Sequence, residues 1–272
     1  MKLKLSLFQP NKFLVITLLA TFISFLACKK DSKTNTVPET PVTPTGGGLV
    51  VLVFHPKVDT ATLIFNKKYV NKNTDTFTVS KFNYFTSNIN LFRSDNSSFT
   101  ESNSYHLVRH SSGADYTYSL SNVPAATYTS MCLTIGFDST RNVSGVQSGD
   151  LDPANSSDMY WSWNSGYIFM KLEGSAPSSG ASNKQYEFHI GGFTGLNKTQ
   201  RLVVLNFGNI PTIVKEGGTS IIHIKVDVNE IFSNPNKIDF KTQYNILNSG
   251  ANAKMVADNY ADIMSLDKIQ NN

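Results

Sequence analysis

The chain is 272 residues long, with a formal charge of +4, two cysteines and two tryptophans. That length allows one substantial core beside a leader. Lys2, Lys4 and Lys12 carry three of the positive charges and no acid accompanies them in the first 27 residues, so only +1 remains beyond; with no basic run either, a nucleic-acid partner is excluded.

The three lysines precede an apolar run from Phe13 to Ala27 that ends in "SFLACKK". The run is shorter than the ~20 residues a membrane-spanning helix needs. A small residue directly before Cys28 is the pattern of a bacterial lipoprotein leader. Residues 1–27 are therefore expected to be removed and Cys28 acylated, which tethers the chain to a membrane without a span. The expected location is the cell envelope, on the outer membrane, at its periplasmic face or the cell surface. With Cys28 acylated, no internal disulfide is expected in the mature chain. Residues 28–48, "CKKDSKTNTVPETPVTPTGGG", hold too little apolar surface to fold and read as a flexible spacer.

Residues 49–272 read as one domain. "GLVVLVFHP", "TFTVSKFNYFTSNINLF", "SYHLVRH", "ADYTYSLSNV", "ATYTSMCLTIGF", "QYEFHIGGF", "QRLVVLNFG" and "TSIIHIKVDV" follow a two-residue period and are rich in β-branched and aromatic residues. Turn residues separate them. The fold class expected is all-β, a β-sandwich of antiparallel strands with long loops. Cys132, inside "YTSMCLTIGF", is expected in the core. "NEIF" suggests a turn of helix, and "NAKMVADNYADIMSLDKI" spaces Met255, Val256, Tyr260, Ile263 and Met264 as a closing amphipathic helix.

The stretch "LDPANSSDMYWSWNSGYIFMKLEG" holds both tryptophans, Trp161 and Trp163, beside Met159 and several acids. Trp-Ser-Trp could be a strand that shows both indoles to one face. Asp150, Asp152 and Asp158 lie in an oxygen-rich turn that suits either calcium or Asx-turn stiffening, although the EF-hand spacing is missing. The same acids with Glu173 allow a glycosidase-like pair in principle. No Gly-x-Ser-x-Gly elbow and no phosphate loop is present, and no enzymatic turnover is expected.

The histidines are His55, His106, His110, His189 and His223. His106 and His110 are four apart on a strand and turn, with no shared face expected. His55 ends the first strand and His189 precedes two glycines that let another group come close. Each reads either as a hydrogen-bonded structural residue or as a ligand. His223 alternates with apolar residues and is expected to face solvent.

The segments "SKFNYFTSNINLF", "IGFDSTRNVSGVQSGDLDPANSSDMYWSWNSGYIFMKLEG", "FHIGG", "IKVDVNEIF" and "KMVADNYADIM", in this order, resemble the MbnP-like family, secreted or lipid-anchored bacterial proteins related to the copper-binding partner of methanobactin systems. The resemblance implies a single Cu(I) held by imidazoles and by a tryptophan oxidised to kynurenine. It assigns His189 and His55 as imidazole ligands, Trp161 or Trp163 as the modified donor, and Met159 as a soft neighbour. It also implies uptake, storage or handover of copper, with a copper-transport or di-haem partner protein. Neutral imidazole suits copper, whereas unmodified indole only donates. The alternative is a non-metal binding or adhesion module that uses aromatics around Trp161 and Trp163.

Overall fold

The computed structural model describes residues 46–272 apart from 145, 146, 162, 164 and 165. The expected leader, the acylated Cys28 and nearly all of the spacer lie outside the described residues. Strand β1 spans Gly47–Val58, so the last two spacer glycines already belong to the sheet. Its even-numbered residues from Gly48 to Val58 are buried and most of the odd ones are not, as a two-residue period dictates.

Nine further strands carry the architecture: β2 Thr76–Phe92, β3 Tyr105–Arg109, β4 Tyr116–Pro124, β5 Ser130–Ile135, β6 Met170–Ser175, β7 Gln185–Ile190, β8 Arg201–Asn206, β9 Thr219–Asp227 and β10 Met264–Asn271. A five-stranded sheet runs β10–β9–β1–β4, with the short strand Ala61–Thr62 added to β1. A nine-stranded sheet runs β8–β5–β2–β6–β7 and continues to Asn245–Ile246; β3 and two short strands also pair with the long β2. Val50, Leu52 and Phe54 of β1 and Ile222 and Ile224 of β9 share one core with Phe82, Tyr84, Leu172, Phe188 and Ile190 of the second sheet. Full burial of such side chains stabilises by roughly 1.5–3 kcal/mol each. The chain is an all-β sandwich.

Two details depart from the expected antiparallel strands and closing helix. β1 and β9 pair in parallel. The two strands are far apart in sequence, which gives the chain room for the long crossover a parallel pair needs. The helix Ala251–Tyr260 stops short of Ile263 and Met264. "MSLDKIQN" instead forms β10, antiparallel to β9. The open edge of β9 offers that segment a full ladder of backbone partners, so tertiary pairing overrides its helical spacing.

A second, smaller core lies on the outer face of the nine-stranded sheet. Phe85 and Leu107 point away from the sandwich interior and are roofed by Phe137, Leu151, Met159, Trp161, Tyr167, Ile168 and Phe169. The run Phe82–Ser87 of β2 is accordingly buried on both faces. The roof contains short helices at Ser139–Val143 and Pro153–Ser156. Among the described residues no helix is long and apolar enough to cross a membrane.

Candidate functional site

The roofed face is built on β6, a strand that the two-residue pattern of "MKLEGS" only weakly announces. Across it, Arg109 of β3, Asn83 of β2, Lys171 of β6 and His189 of β7 form one cross-strand row. The neighbouring row holds Lys81, Glu173 and Glu187. Gly174 follows a register shift on β6, and a side chain there would collide with the Thr78 carbonyl. Glycine lets β2 and β6 approach at that point.

His189 Nε2 meets Glu173 Oε1 at 2.8 Å. That hydrogen bond, helped by Lys81, holds the Glu173 carboxyl below its ordinary value of 4.5, against the opposing effect of burial. A carboxylate on one ring nitrogen fixes the imidazole and leaves Nδ1 as an acceptor.

The loop 149–160 is fastened over this row. Arg109 grips both oxygens of Asp158 at 3.0 and 2.7 Å and also the Asn155 carbonyl. The Arg109 bond holds the Asp158 carboxyl below its usual range. Lys171 donates to the Asp158 carbonyl, and burial lowers its ammonium value. Asp150 accepts from the Leu107 amide at 2.8 Å, and Asp152 caps the helix Pro153–Ser156 through the Ala154 amide. The three acids considered for calcium thus serve three separate contacts, with Leu107, Ala154 and Arg109. Among the described residues no group of three or more His, Cys, Asp or Glu is gathered as a metal site.

The two tryptophans differ in burial although their rings meet. Trp161 is 4% exposed and Trp163 is 64% exposed, with ring centroids 5.9 Å apart. Trp161 packs against Gly191, two residues beyond His189, so its indole and that imidazole serve the same end of β7. Its Nε1 is buried with no hydrogen-bond partner among the described residues. Met159 is fully buried in the same cluster, and its carbonyl accepts from Ile168.

His55 is not brought to this place. It lies among the outward-facing residues of β1, on the other sheet, and the outer faces of the two layers point apart. There it contacts Asp115, at 2.7 Å, and His223, at 2.8 Å. His223 is therefore a partner of His55 rather than a residue that merely faces solvent. His106 and His110 also differ from expectation, because both turn inward from β3. His106 stacks on Tyr118, and His110 sits against Phe82 and Tyr84. A spacing of four along an extended strand does keep one face. Cys132 is buried, as its strand implies.

Sequence reasoning noticed Glu173 only as one acid of a cluster, and missed its pairing with His189. Their registers differ by one cross-strand step, which no local pattern carries. The glycines after His189 were the one legible signal of close approach.

Comparison with known proteins adds the following. The MbnP family model matches residues 47–253. Among solved structures, MbnP from Methylosinus trichosporium is similar with a TM-score of 0.50 at 12% identity, over 71% of this chain and 80% of that one. At that identity the likeness concerns the fold. No curated protein matches.

Proposed function

The chain belongs to the MbnP family, and from that premise we propose that it is an exported, lipid-anchored protein that binds one copper ion beneath the 149–160 roof. Its role would be uptake, storage or handover to a copper-transport or di-haem partner, without turnover. One observation supports this reading most: β7 carries a carboxylate-backed imidazole, His189, and two residues further on Gly191 packs against a buried indole, Trp161, whose N–H has no partner among the described residues.

The donor types suit the ion. His189 Nδ1 offers an imidazole nitrogen, Met159 a soft thioether in the cluster that holds Trp161, and an oxidised Trp161 an aniline-type nitrogen. Bound there, copper would supply soft-cation storage chemistry. Glu173 holds the imidazole, Lys171 and Arg109 hold the roof, and the packed rings of Phe137, Tyr167 and Phe169 exclude water. Trp163, over Trp161, shields the outer side. His55 is left out of this set, because it lies on the other sheet.

Metal analysis of protein expressed in its native host, with mass spectrometry of the Trp161–Trp163 peptide, tests the reading. We expect stoichiometric copper and one oxidised indole, with copper lost in His189→Ala. Two unmodified indoles and no copper under copper-replete growth reject it. The exposed ring of Trp163, with Tyr160 at 38% exposure, favours a second reading as a binding module for a sugar face or protein partner. On that reading Trp163→Ala abolishes partner binding and His189→Ala has no effect.

A further inference from the structure

We propose that Lys171 and Asn83 join spontaneously in an isopeptide bond, a covalent staple between the adjacent strands β6 and β2 of the nine-stranded sheet. The two residues stand directly opposite each other in the antiparallel register. Their chain neighbours Met170, Leu172, Phe82 and Tyr84 fill the sandwich core, so both side chains belong to the outer face, and both are buried there. An opposed pair of this kind sets its Cβ atoms about 4.5–5.5 Å apart. The long lysine stem spans that gap and brings Nζ to the asparagine Cγ, one bond beyond its Cβ.

Each partner is prepared for the reaction. Burial is the largest influence on the Lys171 amine and lowers its ammonium value, against Glu173 and Asp158, which favour the charge. A desolvated lysine gives up its proton readily and becomes a nucleophile. The amine donates to the Asp158 carbonyl, which holds it under the roof. Asn83 is activated from its other side. In the amide orientation that satisfies both of its ends, Oδ1 accepts from Arg109 Nη1 at 3.2 Å and Nδ2 donates to the Phe82 carbonyl at 2.8 Å. A guanidinium on that oxygen draws charge from Cγ and stabilises the oxyanion formed on attack. Nucleophile, amide and guanidinium are consecutive members of one cross-strand row.

The step balances without a co-reactant. Neutral Nζ attacks Cγ, one of its protons passes to Nδ2, the Cγ–Nδ2 bond breaks and ammonia leaves. A secondary amide between Nζ and Cγ remains, and nothing is oxidised or reduced. Its N–H keeps the Asp158 carbonyl as acceptor and its oxygen keeps Arg109, so the product retains the contacts that fasten the roof. The bond closes the chain between residues 83 and 171, a constraint on the unfolded state like that of a disulfide, but one that reductants do not open.

Peptide mass spectrometry of the mature protein after tryptic digestion tests the proposal, beside Lys171→Met and Asn83→Ala. We expect the unaltered protein to yield one branched peptide that carries both Asn83 and Lys171, lighter by one ammonia than its two arms together, with no cleavage after Lys171. Neither variant should yield it, and both should migrate more slowly than the unaltered chain in a denaturing gel under reducing conditions. Separate linear peptides and free cleavage after Lys171 in the unaltered protein overturn the proposal, and that result does not depend on either variant folding. Because the readout involves no metal, the staple and the proposed copper site stand or fall separately.

Discussion

Trp161 closes its six-membered ring over Gly191: a Cβ added to that glycine would fall 2.6 Å from Trp161 Cη2 and equally close to the Tyr167 carbonyl oxygen. The ring could swing aside, but the carbonyl belongs to the backbone next to β6. Gly191→Ala is therefore expected to displace Trp161 and to cost about 1–3 kcal/mol. Denaturant unfolding followed by tryptophan emission checks it. An unchanged midpoint with unshifted native emission would refute the packing.

Glu173 carries an acid-side prediction. Its carboxyl titrates below 4.5 in the folded protein, first because of His189. The sign follows directly: this stabilisation is present above pH 4.5 and is lost as pH falls through the lower folded value. Because the pair is partly open to water, the effect should stay below about 1 kcal/mol. Glu173→Gln should flatten stability against pH below 4.5 by that amount. A slope identical to that of the unaltered protein would show that the pairing contributes nothing.

His110 predicts a steeper dependence. Burial pushes its imidazole down to about 3 from 6.5, so the folded protein holds it neutral while an unfolded chain takes up a proton. Stability from this group is complete above pH 6.5 and declines as pH falls toward 3, by roughly 1 kcal/mol per unit. His110→Phe keeps the contact with Phe82 and should remove most of that decline. Its measure is a series of denaturant melts between about pH 3.5 and about pH 7 at fixed ionic strength.

Arg109 fastens the roof through Asp158 and Asn155. With both charges partly exposed, Arg109→Ala should lower global stability by only about 0.5–1 kcal/mol. Local opening should change more, because the roof loses several bonds at once. Hydrogen exchange is expected to speed up across 150–160 while the β1 amides, in the other sheet, keep their rates. Uniform acceleration over the whole domain would contradict a locally held roof.

By itself the sequence determined what short-range chemistry decides. Alternation in "GLVVLVFHP" and "TSIIHIKVDV" announces half-buried strands, because a pleated chain exposes every second residue. "NEIF" becomes the helical turn Val228–Phe232, for Asp227 caps it from one residue away. Asp152 of "DLDPANSSD" caps the next helix within two residues, whereas Asp150 and Asp158 find Leu107 and Arg109 more than forty residues away, which no local window shows. Even "MSLDKIQN" shows where local reading ends: its apolar spacing fits a helix until β9 offers an edge.

Only the tertiary structure decided which imidazoles meet. His55 and His223 are 168 residues apart and touch because β1 and β9 pair in parallel in one register. A slip of one residue would turn either ring into the core. His189 reaches Glu173 through a β6–β7 register, and Trp161 is buried because a loop folds back over the outer face of a sheet whose inner face was already covered. Pairing, register and layer order arise from the burial of the whole chain, and no window of neighbouring residues contains them.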